Sequence, residues 1–363
     1  MSDLRNIIRE YNDLKSSGTG RLALVTVLEV YGSSFRRPGA MMLVTENSRW
    51  FGAISGGCLE GDALRRARHS LLMGQSSVVM YDTVNDDASA LGPRIGCNGI
   101  VKVLIEPIES QWIDGMSALD LDKGGYLITK ISSNGKMVNR AFIDRSGEKT
   151  YNEIADWPEI SDLNTMVNVS IHKNDEEWVV QELPVLKSLV ICGGGNHILP
   201  MISLAKTLGW RVIVTDPCVA HSAPAIFPEA DLVRQADGSG VAEVVSNMEL
   251  SAFVITSHSH EYVQDALTTL LDRNARYIGL IGNRIRLQQL LQPRFGNTLP
   301  ANIHAPVGLD LGGNTPEELA LSVIAQVQAF FNDKSGLALD HLTGYIHDRR
   351  PQEQKRDQEM NIQ

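Results

Sequence analysis

Val190-Ile191-Cys192-Gly193-Gly194-Gly195-Asn196-His197 joins a run of buried-strand residues to a glycine turn. A strand that feeds a GxG turn and then a helix lets backbone approach a pyrophosphate closely, with the helix N-terminus facing the charge. The helix is predicted by Ile198, Ile202, Ala205 and Leu208, and the next strand by Arg211 to Thr215. Asp216 ends that strand 21 residues after Gly195, where an acidic side chain can accept from a ribose hydroxyl. The third glycine of the usual fingerprint is replaced by Ile198, and Pro200 lies early in the helix, where it is tolerated.

Outward from this turn the alternation continues. Strands are predicted at Asp231 to Arg234, Ala252 to Thr256 and Tyr277 to Ile281, with helices near Val241 to Ser246 and from Glu261 to Leu271. Strands and helices that alternate at this length give a parallel, doubly wound sheet. In strand order 3-2-1-4-5 the end of the fourth strand borders the crevice, so His258 and His260 are candidates to face a ligand. Thr315-Pro316-Glu317-Glu318 reads as a capping box that opens an apolar helix to about Phe331.

The N-terminal half has a different rhythm. Leu4, Ile7, Ile8, Tyr11 and Leu14 form a helical stripe, and Leu22 to Val30 a buried strand. Met41 to Thr45 and Phe51 to Ile54 flank a polar turn and predict a hairpin, followed by a helix from Gly61 to Met73 and strands at Val78 to Tyr81 and Ile100 to Ile105. From Gly125 to Pro184 short strands at Tyr126 to Ile128, Met137 to Ile143, Val167 to Ile171 and Trp178 to Val180 predict a small, mostly antiparallel sheet appended to this half. The expected fold class is α/β: an N-terminal α+β glycine-loop domain over 1–184 with a β-rich extension, then a Rossmann-like doubly wound parallel sheet over 185–332. The segment 333–363 follows, and its polar end after about 348 has too few apolar side chains to order itself.

Bulk properties bound the function. A formal charge of −10 repels phosphate backbones and anionic lipid, which argues against nucleic-acid and membrane partners for the chain as a whole. No run approaches the roughly 18 apolar residues of a membrane-spanning helix, and no signal peptide is read at the N-terminus. The four cysteines, Cys58, Cys97, Cys192 and Cys218, show no CxxC spacing, so no zinc or thioredoxin motif is written locally and a reduced, cytoplasmic chain is expected.

Three loops of the N-terminal half can carry chemistry. Gly32-Ser33-Ser34-Phe35-Arg36-Arg37-Pro38-Gly39-Ala40 combines small residues with two guanidinium groups that recognise phosphate bidentately. Ser55-Gly56-Gly57-Cys58-Leu59-Glu60-Gly61 runs into a helix and offers backbone donors. Gly92-Pro93-Arg94-Ile95-Gly96-Cys97-Asn98-Gly99 places a cysteine between glycines, beside an arginine that would lower its pKa; a thiolate suits sulfur or a thiophilic metal. Each loop alone also serves as an ordinary tight turn. Cys192, inside a strand, reads as core, and Cys218 as incidental.

At these residues the chain resembles the XdhC/CoxI family, accessory chaperones of xanthine dehydrogenase and related molybdenum hydroxylases. The resemblance is carried by Gly32 to Asp62, Tyr81-Asp82-Thr83, Ile95 to Pro107, the strand-GGG-helix unit, Arg276 to Arg284 and His304 to Ala325. Family members often read GAGH before an acidic residue, where this chain has Gly193-Gly194-Gly195-Asn196-His197. The resemblance implies binding of molybdenum cofactor (molybdopterin in its mono- or dinucleotide form), protection of its sulfurated form and delivery to an apo molybdenum hydroxylase such as xanthine dehydrogenase. It further implies contact with a cysteine desulfurase and a homodimer. On this reading Arg36 or Arg37 meets the phosphate, and Ser55, Gly56, Gly57 and Glu60 belong to the same loop site. Cys97, the candidate metal ligand, and Cys58 lie toward the sulfur and metal end. Gly193, Gly195, Asp216 and His258 would hold a nucleotide in the Rossmann crevice. A carrier needs no acid-base pair, and no such motif is evident, so no catalytic residue is assigned. The alternative is an NAD(P)-dependent oxidoreductase using the crevice, with His258 or His260 as acid/base; it leaves the three N-terminal loops unexplained.

Overall fold

The computed structural model describes residues 2–16, 20–32, 34–82, 99–117, 123–154, 170–173 and 176–343. The chain divides into two compact units, Asp3–Val185 and Leu186–Gly344.

In the first unit, α1 (Ser2–Ser16) buries Leu4, Ile7, Tyr11 and Leu14, the stripe its sequence spacing predicts. Five antiparallel strands follow: β1 (Leu22–Gly32), β2 (Met41–Thr45), β3 (Trp50–Gly52), β4 (Ser77–Asp82) and β5 (Gly99–Ile108), in the order β3-β2-β1-β5-β4. Period-two alternation along β1 sends Ala23, Val25 and Val27 to one face, where α2 (Glu60–Met73) packs Ala63, Ala67 and Leu71 over them. Leu22 and Leu24 go to the other face, into a cluster with Leu43, Trp112, Leu127 and Phe142. Trp112 comes from α3 (Ser110–Ser117). Leu127 and Phe142 come from a second antiparallel sheet, β6 (Gly125–Ser132), β7 (Val138–Asp144), β8 (Lys149–Asn152), β9 (Ser170–Lys173) and β10 (Glu176–Leu183), in the order β8-β7-β6-β10-β9. Arg140, 2% exposed, crosses between the sheets: it pairs with Glu106 of β5, donates to the Thr129 hydroxyl at 2.7 Å and lies 5.3 Å from the Trp112 ring centre. Burial pushes the Glu106 carboxyl up, and the Arg140 guanidinium opposes that rise.

The second unit is a six-stranded parallel sheet of β11 (Ser188–Cys192), β12 (Arg211–Asp216), β13 (Leu232–Gln235), β14 (Ser251–Ile255), β15 (Ile278–Leu280) and β16 (Ile303–His304). The order β13-β12-β11-β14-β15-β16 reverses direction between β11 and β14, which is the expected switch point. Alternate residues of β11 serve opposite cores. Leu189 and Ile191 meet α4 (Leu199–Thr207) and α7 (Pro316–Phe331); Val190 and Cys192 face α5 (His260–Asp272) and α6 (Arg284–Phe295). The capping box at Thr315 and Glu318 is present as read.

Several local expectations are corrected. The strand expected at Phe51 to Ile54 is Trp50–Gly52, because the chain leaves the hairpin after Gly52. No helix forms at Val241 to Ser246; a short 3₁₀ turn at Gly238–Gly240 and successive turns bury Val241, Ala242 and Val244 instead. Strands β8 and β16 and helices α3 and α6 have no counterpart among the elements expected from sequence. The disordered tail expected after 348 and the strand start at Val167 lie outside the described residues. Among the described residues no helix is long and apolar enough to cross a membrane.

Candidate functional site

The candidate residues fall into two groups, one in each unit. In the first unit, the loop after β1 is anchored at its end: Gly39 N–H donates to Val27 O, Val27 N–H to Ala40 O (both 2.9 Å), and Ala40 N–H to Arg37 O at 3.1 Å. That anchoring displays Phe35, 71% exposed, and half-buries Arg36 and Arg37. Among the described residues no acceptor meets the Arg37 guanidinium. Phe35 rests on Gly56, whose added methyl would lie 3.4 Å from Cγ of the ring, so the arginine loop and the Ser55–Gly61 loop are neighbours.

The second loop is organised by Glu60, the first residue of α2. Its carboxylate accepts from the N–H of Ser55 at 2.7 Å and of Ile54 at 3.2 Å, and from the Ser55 hydroxyl. The Ser55 oxygen in turn accepts from Gly57 N–H at 3.2 Å and Leu59 N–H at 3.1 Å. Burial alone would raise the Glu60 pKa, but these donors outweigh it and hold the carboxyl below its usual range. Glu60 and Ser55 therefore shape the turn from inside. Among the described residues the N–H groups of Gly56 and Cys58 meet no acceptor, and Gly56 and Gly57 are exposed. These, rather than the amides of Ser55 and Gly57, are the donors the loop has left for an anion. Cys58 is half-buried against the α2 core. The next residues of the motif are structural: Tyr81 on β4 donates to Asp62 at 2.9 Å, and Asp62 also holds Arg66 at 2.5 Å, which ties α2 to the sheet edge. Cys97 and its loop lie outside the described residues, so the metal-ligand expectation there stays an expectation. Among the described residues no three His, Cys, Asp or Glu side chains gather around a metal-sized point.

In the second unit, Gly193, Gly195, Asp216 and His258 do meet at the carboxyl ends of β11, β12 and β14. Their roles differ from the simplest reading. Asp216, buried, accepts from Gly194 N–H at 2.7 Å and from Cys218 N–H at 2.8 Å. Its carboxylate clamps two loops together, with both oxygens engaged. Gly194 is a required glycine: an added methyl would lie 2.2 Å from His221 O, so the loop after β12 packs directly on it. At Gly195 the added methyl would meet the exposed His197 ring at 2.8 Å, so that imidazole lies against the glycine turn. Gly193 N–H donates to Thr215 O at 2.7 Å, and its carbonyl accepts from the Thr256 hydroxyl at 2.7 Å. A methyl at Gly193 would lie 2.7 Å from Ser257 N, so the first and fourth loops touch and bring His258 beside the glycine turn. Partial burial, then the neighbouring His258, push the His197 imidazole below its ordinary value.

Residues that sequence reading passes over complete the crevice: His197, Thr256 and Arg286. Arg286 of α6 donates to His258 Nδ1 at 2.7 Å and to His258 O at 3.0 Å. The expectation that Cys192 is core holds. It is fully buried, and burial pushes its thiol up to about 12, far from reactivity. Cys218 is exposed. His260 is the first residue of α5, next to the Ser259 cap.

Comparison with known proteins agrees with this architecture. Residues 189–327 match the model of the XdhC Rossmann domain, and residues 18–82 that of the XdhC and CoxI family. The chain is 30% identical over 316 residues to a Bacillus subtilis (strain 168) protein named as a probable subunit of xanthine dehydrogenase, covering 84% of this chain and 91% of the relative. It is 37% identical over 332 residues to the molybdenum cofactor insertion chaperone PaoD of Escherichia coli (strain K12), covering 90% and 88%. A crystal structure described as a xanthine dehydrogenase from Bacillus halodurans superposes with a TM-score of 0.73 at 26% identity, over 93% of this chain and 99% of that one. With its glycine-loop unit and its Rossmann unit each matched, the chain belongs to the XdhC and CoxI family.

Proposed function

We propose that the chain is a carrier that binds molybdenum cofactor, shelters its sulfurated form and hands it to an apo molybdenum hydroxylase such as xanthine dehydrogenase. Relatives named for xanthine dehydrogenase and for molybdenum cofactor insertion support the accessory role. The observation that carries the assignment of the site is Arg37, half-buried and without an acceptor among the described residues, on the loop whose Phe35 rests on Gly56. A guanidinium held that way is set to receive a phosphate, and the N–H groups of Gly56 and Cys58 add short neutral donors. Arg36 flanks them, and Phe35 supplies an apolar cover. The Cys58 thiol lies at the base of the same loop, and Cys97 is its proposed counterpart toward metal or sulfur. Three donors hold both Glu60 oxygens inside the turn and partly offset the repulsion that its charge exerts on an anion at the loop.

The proposed partners are the apo-hydroxylase, a cysteine desulfurase that renews the sulfur, and a second copy of the chain. The mono- and dinucleotide forms of the cofactor share the phosphate that Arg37 would meet, and a nucleotide portion is proposed for the Rossmann crevice. A nicotinamide-dependent oxidoreductase would need an acidic residue open to ribose, whereas Asp216 is only 6% exposed and already accepts one backbone N–H on each oxygen. The test is to purify the chain from cells that make the cofactor, identify bound pterin by mass spectrometry, and measure activation of apo-hydroxylase by the loaded protein. Pterin on the parent, lost in an Arg37→Ala protein that still folds, is the expected result. A parent that carries no pterin and activates nothing overturns the reading.

A further inference from the structure

The two sides of the Rossmann crevice are unequal. Toward β12 it is walled: the His221 carbonyl packs on Gly194, and the Asp216 carboxylate bridges Gly194 and Cys218. That is the side on which an ordinary dinucleotide lays its adenosine. Toward β14 it carries three nitrogen-bearing side chains from three different segments. His197 comes from the turn after β11, His258 from the loop after β14, and Arg286 from the first turn of α6. The contact of Gly193 with Ser257 holds the first two loops together, and Arg286 fixes the third member through two bonds to His258. A guanidinium only donates, so Nδ1 of His258 is the acceptor and its ring proton resides on Nε2, available to a ligand. No described carboxylate is bonded to any of the three.

We propose that this half of the crevice is a phosphate-monoester site, with Arg286, His258 and His197 as its donors, which takes a mononucleotide-sized ligand rather than a whole dinucleotide. The inference rests on the reading of the crevice as a ligand site and is independent of the loops around Arg37. The exposed imidazole of His197 stands over Gly195, its Nδ1 2.8 Å from the position of an added methyl, where it can donate to a group that stops short of the glycine turn. Two sources present a terminal phosphate of this size: a nucleoside monophosphate and a phosphorylated pterin.

The experiment uses the full chain with isotope-labelled histidine. Inorganic phosphate, CMP, GMP, hydroxymethylpterin phosphate and NAD are titrated separately, with ring signals of His197 and His258 followed by NMR. Inorganic phosphate is expected to shift both rings saturably. Arg286→Gln should weaken that binding by about tenfold or more, with partial recovery in Arg286→Lys. The organic monophosphate that binds more tightly than inorganic phosphate identifies the source, and NAD should bind no more tightly than inorganic phosphate. Rings that do not respond in the folded parent, an unchanged affinity in Arg286→Gln, or NAD binding tighter than every monophosphate overturns the proposal. Cofactor delivery measured on the same preparations separates the two readings. Phosphate bound at these residues by a chain that delivers nothing supports this site and overturns only the carrier assignment.

Discussion

Gly194 N–H donates to Asp216 Oδ2 at 2.7 Å, and Asp216 Oδ1 accepts from Cys218 N–H at 2.8 Å. One carboxylate thereby sets the glycine turn and the loop after β12 relative to each other. Losing it strands two donors in a partly buried place, so Asp216→Ala should lower stability by about 1–3 kcal/mol. Asp216→Asn, which keeps one carbonyl oxygen, should lose less. Calorimetric melts of the three proteins check this, and an Asp216→Ala protein that melts with the parent would show that the clamp contributes nothing.

Arg37 gives the opposite pattern. A half-buried loop arginine with no acceptor among the described residues contributes little to folding, so Arg37→Ala should shift stability by less than about 0.5 kcal/mol. A charge-assisted phosphate contact contributes about 1.5–3 kcal/mol, which corresponds to about a ten- to hundredfold loss of cofactor affinity. Equal retention of pterin by mutant and parent would remove Arg37 from the site.

Glu60 makes the loop sensitive to acid. Its folded pKa lies below that of the unfolded chain, so its stabilisation is complete above the unfolded carboxyl value, near 4.5. It is lost as pH falls from there through the folded value. Glu60→Gln, which cannot ionise, should lower the Tm at pH 7 and reduce the difference between melts at pH 7 and pH 4. A parent and mutant with the same pH profile would mean that the Ser55 hydrogen bonds do not depend on the charge.

Cys97 stands on sequence alone: Gly96-Cys97-Asn98-Gly99, with Arg94 three residues before it. Cys97→Ser should leave the Tm close to that of the parent while the loaded protein fails to activate apo-hydroxylase. Full activation by the serine protein would rule out a functional thiol, and a collapsed melt would identify a packing cysteine instead.

The architecture of both units is legible where period and burial agree. The run Leu189 to Cys192 feeding three glycines, and the stripe Leu4, Ile7, Tyr11 and Leu14, each state their element in local pattern. Val241, Ala242 and Val244 mislead because their spacing imitates a helix where turns bury the same side chains. The two-residue strand Ile303–His304 is too short to leave any pattern. In the site, sequence locates Asp216 and Glu60 but cannot say that backbone amides already occupy their oxygens. The pair Arg286 and His258 is 28 residues apart and is brought together only by the third dimension. The position of His197 depends on a 3₁₀ turn, Asn196–Ile198, rather than a direct helix start.

The buried Arg140–Glu106 pair bears on how the N-terminal unit can be divided. Each partner belongs to a different sheet, and each would be a lone buried charge without the other. Removal of one member of such a pair costs about 3–5 kcal/mol. Deletion of the whole β-rich extension would instead bare Leu22, Leu24 and Leu43, which cluster with its Leu127 and Phe142, so the glycine-loop sheet expressed without it should be degraded by proteases and any shortened carrier must be cut elsewhere.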